Sequence, residues 1–170
     1  VWDLDRIYQD GSKSIQLHND VRAIEESLGS LNKSLTNITI SSSEDASYIL
    51  KLLIEIGNIK LKLSQATSFI TCLFAQNSID QEASVIQDKI TNLNSEYNAV
   101  LTKFQSTIAN ITLNSWIEIL ESNVLKDYEL ILTEWRNEAE SILTSNEKAI
   151  LSSLSMDGYH AWGKLYQTLM

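Results

Sequence analysis

No proline occurs anywhere in this chain of 170 residues, and only five positions are glycine. Proline breaks helix interiors and marks turns, so its absence fits long uninterrupted helices. There is a single cysteine, Cys72, which excludes an internal disulfide and fits a reducing compartment. No apolar run approaches the roughly 20 residues that cross a bilayer. The best stretch, Ile49 to Ile59, is broken by Lys51 and Glu55. No basic-then-apolar leader opens the chain, and its first residue is Val, so the true start is expected further upstream. Basic charge is also scarce: 13 Lys and Arg face 22 Asp and Glu, a net charge of −9. Duplex binding needs clustered cations to displace counterions, so nucleic acid is excluded as a partner, and an anionic membrane with it. Asn-x-Ser/Thr triplets at Asn32, Asn37 and Asn110 are what chance gives a chain this rich in Asn, Ser and Thr.

What remains is helical periodicity. A chain of this length can bury about 70% of its unfolded surface, so it needs no disulfide or metal to hold a core. The first apolar stripe is Leu17, Val21, Ile24, Leu28, Leu31 and Leu35, stepping by four and three along one helix face. Ser12 or Ser14 is its expected N-cap. The second stripe runs Ile49, Leu52, Ile56, Ile59, Leu63, Ala66, Ile70 and Leu73. Leu50, Leu53, Ile54, Leu61 and Phe69 widen it, which predicts burial from more than one direction and the most central place. Gly57 within it would be explained by a close helix crossing. The third stripe runs from Ala83 through Ile90, Tyr97 and Phe104 to Ile111, capped by Ser78 or Asp80. A short piece around Trp116 to Leu120 bridges to a fourth helix carrying Leu125, Tyr128, Leu132, Trp135, Ala139 and Ile142. Thr144 and Glu147 form a capping-box pattern that opens a short helix through Leu154. Gly158 stops it, and a last helix starts near Tyr159. The expected fold is all-α: an elongated antiparallel bundle of long helices with a short C-terminal helix pair, in one domain over residues 1–170. Leu28, Ile56, Ile90, Tyr97 and Trp135 are its expected core.

Chemistry-bearing residues are sparse. His18 and His160 stand alone, each read as a helix histidine, because a zinc site needs paired histidines at helical spacing. Cys72, amid Ile70, Leu73 and Phe74, reads as an unreactive core thiol. Glu25–Glu26, Glu44–Asp45, Asp80 with Glu82 and Glu138 with Glu140 read as solvated carboxylates on polar faces or helix starts. No residue is assigned to catalysis or to a metal. Trp2, Trp162 and Tyr166 are candidate anchors against another domain, or else packing residues within this one.

Two stretches carry a family resemblance. Near the end, Leu143 to Leu151 leads through Leu154 and Gly158 to Ala161-Trp162-Gly163-Lys164-Leu165-Tyr166. At the start stand Trp2-Asp3-Leu4-Asp5-Arg6-Ile7-Tyr8, then Gly11-Ser12 and Ser14. Both resemble the N-terminal helical domain of the oligoendopeptidase F family, relatives of thimet oligopeptidase, as does Phe74-Ala75-Gln76-Asn77 before an acidic helix start. The family's H-E-x-x-H motif is absent from these residues, so the chain is expected to be the N-terminal part of a longer peptidase. The resemblance implies a cytoplasmic zinc metalloendopeptidase that hydrolyses oligopeptides. It implies that this domain forms one wall of the substrate channel against its own C-terminal catalytic domain, holding no cofactor itself. Zinc, and the water it activates, would belong to that other domain. A chain ending at Tyr166 to Met170, inside an amphipathic stretch, is expected to continue. The alternative is a free-standing helical module that dimerises or binds a partner helix.

Overall fold

The computed structural model describes residues 3–36, 38, 40 and 42–140. Among them are five helices: α1 (Ile15–Thr36), α2 (Ala46–Gln76), α3 (Gln81–Ala109), α4 (Leu113–Leu120) and α5 (Glu129–Glu140). No strand occurs among the described residues, so the fold is the expected all-α bundle. Each stripe read from the sequence of the first three helices is buried: all six positions on α1, all eight on α2, and on α3 every position from Ala83 to Ile108. α1, α2 and α3 pack against one another pairwise, and α5 lies along α3. At 1.5 Å per residue, α2 is about 46 Å long. A connection of only residues 77–80 returns the chain antiparallel along it. No helix of the described residues is long and apolar enough to cross a membrane. The expected C-terminal helix pair lies outside them.

Three local expectations change. The fourth helix was expected from Leu125, but α5 starts at Glu129, and residues Lys126–Tyr128 form a tight 3-10 turn instead. Leu125 is fully buried at the head of that turn, so its apolar character serves the turn's anchorage rather than a helix stripe. α2 is met from more than one direction, by α1, α3 and the N-terminal segment, but not all of its apolar width is covered. Leu53 and Phe69 are buried, whereas Ile54 and Leu61 are exposed and Leu50 is half-buried. A Cβ placed on Gly57 would meet nothing within 4 Å, so no helix crosses there among the described residues. Cys72 is half-buried at the edge of the apolar face rather than in the core.

The third change concerns the N-terminal segment, which hooks over one end of the bundle. Tyr8 is buried, its ring packs edge-on against Phe69 at 4.8 Å, and its hydroxyl donates to Asp20 at 2.9 Å. Burial, then the Asp20 hydrogen bond and charge, push the Tyr8 hydroxyl up to about 12. Asp10 and Gly11 both take left-handed backbone, φ 67° and 59°, to turn the chain back. The Ser12 hydroxyl, expected to cap α1, donates instead to Asp80 at 2.9 Å. Ser14 stands just before α1, non-helical, with its carbonyl accepting from the His18 amide at 3.1 Å. The other Asp80 oxygen caps α3 by accepting from the Ala83 amide at 3.0 Å. One carboxylate therefore ties the N-terminal hook to the start of a long helix.

These two hydrogen bonds, the Ala83 amide first and the Ser12 hydroxyl second, hold the Asp80 carboxyl below its ordinary range. A carboxyl whose pKa is lower when folded stabilises the fold above its unfolded value, and that contribution vanishes as pH falls through the folded value. Asp80→Ala should therefore lower the melting temperature at neutral pH. The gap to wild type should close on acidification below pH about 4. Thermal melts at neutral and acid pH check this; an equal gap at both would show that the charge plays no part. Gly29, exposed on α1 with open space around its missing Cβ, offers the opposite test. Gly29→Ala should raise stability by about 0.5–1 kcal/mol in urea unfolding.

Candidate functional site at the corner of the last three helices

α3 ends at Ala109, and the chain turns sharply through Asn110 and Ile111 into α4. Thr112 caps α4, its hydroxyl oxygen accepting from the Ser115 amide at 3.4 Å. α4 buries Trp116 and Ile119 and exposes the face carrying Leu113 and Ile117. The chain then passes Val124, exposed, and Leu125, buried, before α5 brings Leu132 into the core. Trp135 on α5 is half-buried, with its ring edge-on to Phe104 at 6.0 Å.

Arg136 closes this corner. Its two terminal nitrogens donate to the Ile108 and Ile111 carbonyls, each at 2.8 Å. The Ile108 carbonyl lies in the last turn of α3, where the helix carries its partial negative charge, and the Ile111 carbonyl lies just beyond it, so the guanidinium clasps the end of the helix. The same guanidinium lies 5.0 Å from the centre of the Trp116 ring. One side chain thus joins the end of α3, the face of α4 and the body of α5. No stripe or motif in the sequence singled it out. The available signal was that Arg136 is the lone basic residue in an otherwise acidic or neutral α5.

Outside this brace lies a groove of about 410 Å³ lined by Ile117, Leu120, Glu121, Asn123, Lys126 and Glu129. Its walls mix apolar surface with two carboxylates and one ammonium. Leu113 on α4, Val124 in the connection after it and Leu130 on α5 are exposed as well. Such a surface can bind a peptide or a neighbouring domain; it presents no nucleophile beside a base.

Of the residues singled out by sequence, Leu28, Ile56, Ile90 and Tyr97 are buried in the three-helix core. Burial pushes the Tyr97 hydroxyl pKa up, and the Lys60 ammonium sits 5.3 Å from the centre of its ring. His18 is exposed, its Nε2 3.2 Å from the Ser12 carbonyl. The acidic pairs do not converge. Glu25 pairs with Lys89 at 2.7 Å, Asp45 accepts from the Ser42 amide, Asp80 caps α3, and Glu138 accepts from Gln105 at 3.2 Å. Among the described residues no group of three His, Cys, Asp or Glu could hold a metal ion. Trp2, Trp162, Tyr166 and His160 lie outside the described residues.

The family model described as Oligopeptidase F, for the N-terminal domain of such peptidases, matches residues 108–170. No curated protein matches the chain, and neither does any solved structure. The matched stretch opens at Ile108, whose carbonyl Arg136 holds, so its described part is this corner. Residues 108–170 thus carry the N-terminal-domain signature of the oligopeptidase F family, which supports placing the chain in the N-terminal domain of such a peptidase.

Proposed function

We propose that this domain is a non-catalytic wall and gate of the substrate channel in a cytoplasmic zinc-dependent oligopeptidase that hydrolyses short peptides. The observation that carries the reading is the family match over residues 108–170. The corner it covers is consistent with a docking role: a rigid, Arg-braced turn beneath exposed apolar residues and a mixed-charge groove. The described residues do not fit a zinc ion, so no chemical step is assigned to them. In this reading the catalytic domain lies further along the same polypeptide, holds the zinc, and meets this domain through Trp2, Trp162 and Tyr166. The domain contributes shape: a long-helix wall that admits flexible oligopeptides and excludes folded proteins.

The test begins with the coding sequence beyond Met170, which should encode H-E-x-x-H with a further Glu ligand downstream. The protein translated from it should cleave a quenched-fluorescence peptide, and the 170-residue chain alone should not. Replacing both Trp162 and Tyr166 with Ala in the longer protein should loosen the junction, seen as faster limited proteolysis between the domains. A stop codon at that point, or peptide cleavage by the 170-residue chain alone, would overturn the proposal.

A further inference from the structure

Negative charge is concentrated around the groove at the corner. Between Leu113 and Glu140 stand seven carboxylates and two basic residues, so 28 of the 170 residues hold five of the nine net negative charges. Of the two cations, Arg136 is turned inward onto the Ile108 and Ile111 carbonyls, and Lys126 lines the groove. Glu121, at the end of α4, and Glu129, at the start of α5, line it too. Both are exposed, and neither forms an ion pair among the described residues, whereas Glu25 on α1 has Lys89 at 2.7 Å. The groove also has an apolar side. Leu113, Ile117 and Leu120 step by four and three, so they form a strip along α4 that leads into it. Its volume of about 410 Å³ falls in the range of ligand sites, about 300–1,000 Å³.

We propose that this groove binds cationic peptides, as an extended segment in which Lys or Arg flanks an aliphatic side chain. Charge complementarity selects the occupant. A purely apolar partner would cover the α4 strip and strip water from Glu121 and Glu129 without supplying a counter-charge, which costs free energy. An acidic peptide would be repelled by the surplus of negative charge around the groove. An aliphatic side chain with a basic one on either side meets both the apolar strip and the carboxylates. In an extended peptide every second side chain shares a face, about 6.5–7 Å apart, so a Lys-x-Leu-x-Lys segment presents all three to one surface. Lys126 offers its ammonium to peptide carbonyls, which sets the groove apart from a uniformly acidic patch. The inference rests on the channel-wall reading for the peptide's role as a substrate, and the binding itself is measured without it.

The test is calorimetric titration of the 170-residue chain with blocked pentapeptides. The probe acetyl-Lys-Ala-Leu-Ala-Lys-amide should bind at low salt and more weakly at high salt, because salt screens exposed charge pairs. Acetyl-Glu-Ala-Leu-Ala-Glu-amide should bind at least about 10-fold more weakly. Acetyl-Lys-Ala-Ser-Ala-Lys-amide, without the leucine, should lose about 5-fold. Glu121→Gln together with Glu129→Gln should weaken the Lys-Leu-Lys probe about 5–10-fold, each exposed pair being worth a few-fold. Ile117→Ser should weaken it as well. All three side chains are exposed, so helical circular dichroism should stay at the wild-type level. Glu26→Gln together with Glu96→Gln, on α1 and α3, removes as much charge elsewhere and should change binding by less than about 2-fold. Three results overturn the proposal: no binding of the Lys-Leu-Lys probe by the wild-type chain, equal binding of the Lys and Glu probes, or an equal loss in the remote double variant. In the first case the groove's occupant would be another part of the same polypeptide. Failure of the longer protein to cleave peptides would instead sink the channel-wall reading, and with it the peptide's role as substrate, while the titration alone decides the groove.

Discussion

Phe104→Ala should lower the stability of this protein by about 3–5 kcal/mol, the range for truncating a fully buried aromatic ring. The ring has no exposed surface and sits on α3 between the three-helix core and the edge of Trp135 on α5. Its loss removes the transfer energy of the ring and leaves a cavity between long helices, which cannot slide together without disturbing every layer above and below. Part of the cost also comes from the lost edge-to-face pairing with Trp135, about 0.5–1.5 kcal/mol. Urea unfolding gives the measurement, and two controls interpret it. Phe104→Leu keeps most of the volume and should cost much less. Leu61→Ala, at a side chain 68% exposed, should stay within about 0.5 kcal/mol of wild type. A loss under about 2 kcal/mol for Phe104→Ala would mean that α5 repacks onto α3 and that the corner is more plastic than its geometry indicates.

Arg136→Ala should have the second-largest effect, a loss of about 2–3 kcal/mol, from two charge-assisted hydrogen bonds partly discounted because the side chain is half exposed to solvent. The variant leaves the Ile108 and Ile111 carbonyls without their guanidinium partner at the end of α3. Arg136→Lys is the informative companion. It keeps the charge, but a single ammonium cannot reproduce the planar fork that reaches both carbonyls while lying over the Trp116 ring. It should recover less than half of the loss. A double-mutant cycle with Trp116→Leu should give a coupling of about 0.5–2 kcal/mol for the cation–ring contact. If Arg136→Lys matches wild type, charge near the helix end is the whole contribution, and the fork geometry is incidental.

The two variants also separate two parts of the chain. Phe104 belongs to a stripe that a count of threes and fours finds directly. Arg136 belongs to no stripe, and its contacts with Ile108, Ile111 and Trp116 reach residues 20 to 28 positions earlier in the chain. Local periodicity carries no information about such contacts, because it reports which face of a helix is apolar and not what lies opposite. The same distinction explains Ser12. Its sequence position made it a reasonable cap for α1, yet its hydroxyl goes to Asp80, 68 residues away. A hydroxyl near a helix start can serve any exposed donor or acceptor within reach, and only the hook turned by Asp10 and Gly11 decides which one is near.

α2 shows how far a wide apolar pattern reaches. Its apolar residues do cover more than one side of the helix, as the sequence indicated. Leu53 and Phe69 turn out to be buried within the chain, Phe69 through the Tyr8 ring, while Ile54 and Leu61 stay exposed. Hydrophobic width measures how much surface a helix would gain by covering, and it does not say whether the cover comes from the same chain.

Among the described residues, the sequence by itself determined the three long helices and the core between them. Without proline, and with apolar residues at helical spacing in every long segment, backbone hydrogen bonds close locally, and each stripe has one economical fate, burial against the others. It also carried the family signal, because motifs near the chain's end are linear features. The tertiary structure decided everything that depends on two distant segments meeting: the Arg136 brace across α3, α4 and α5, the Asp80 link between hook and helix, and which apolar residues of α2 stay exposed. Those contacts form because long helices, once packed, fix the positions of side chains that are far apart in sequence, and no local pattern encodes that register.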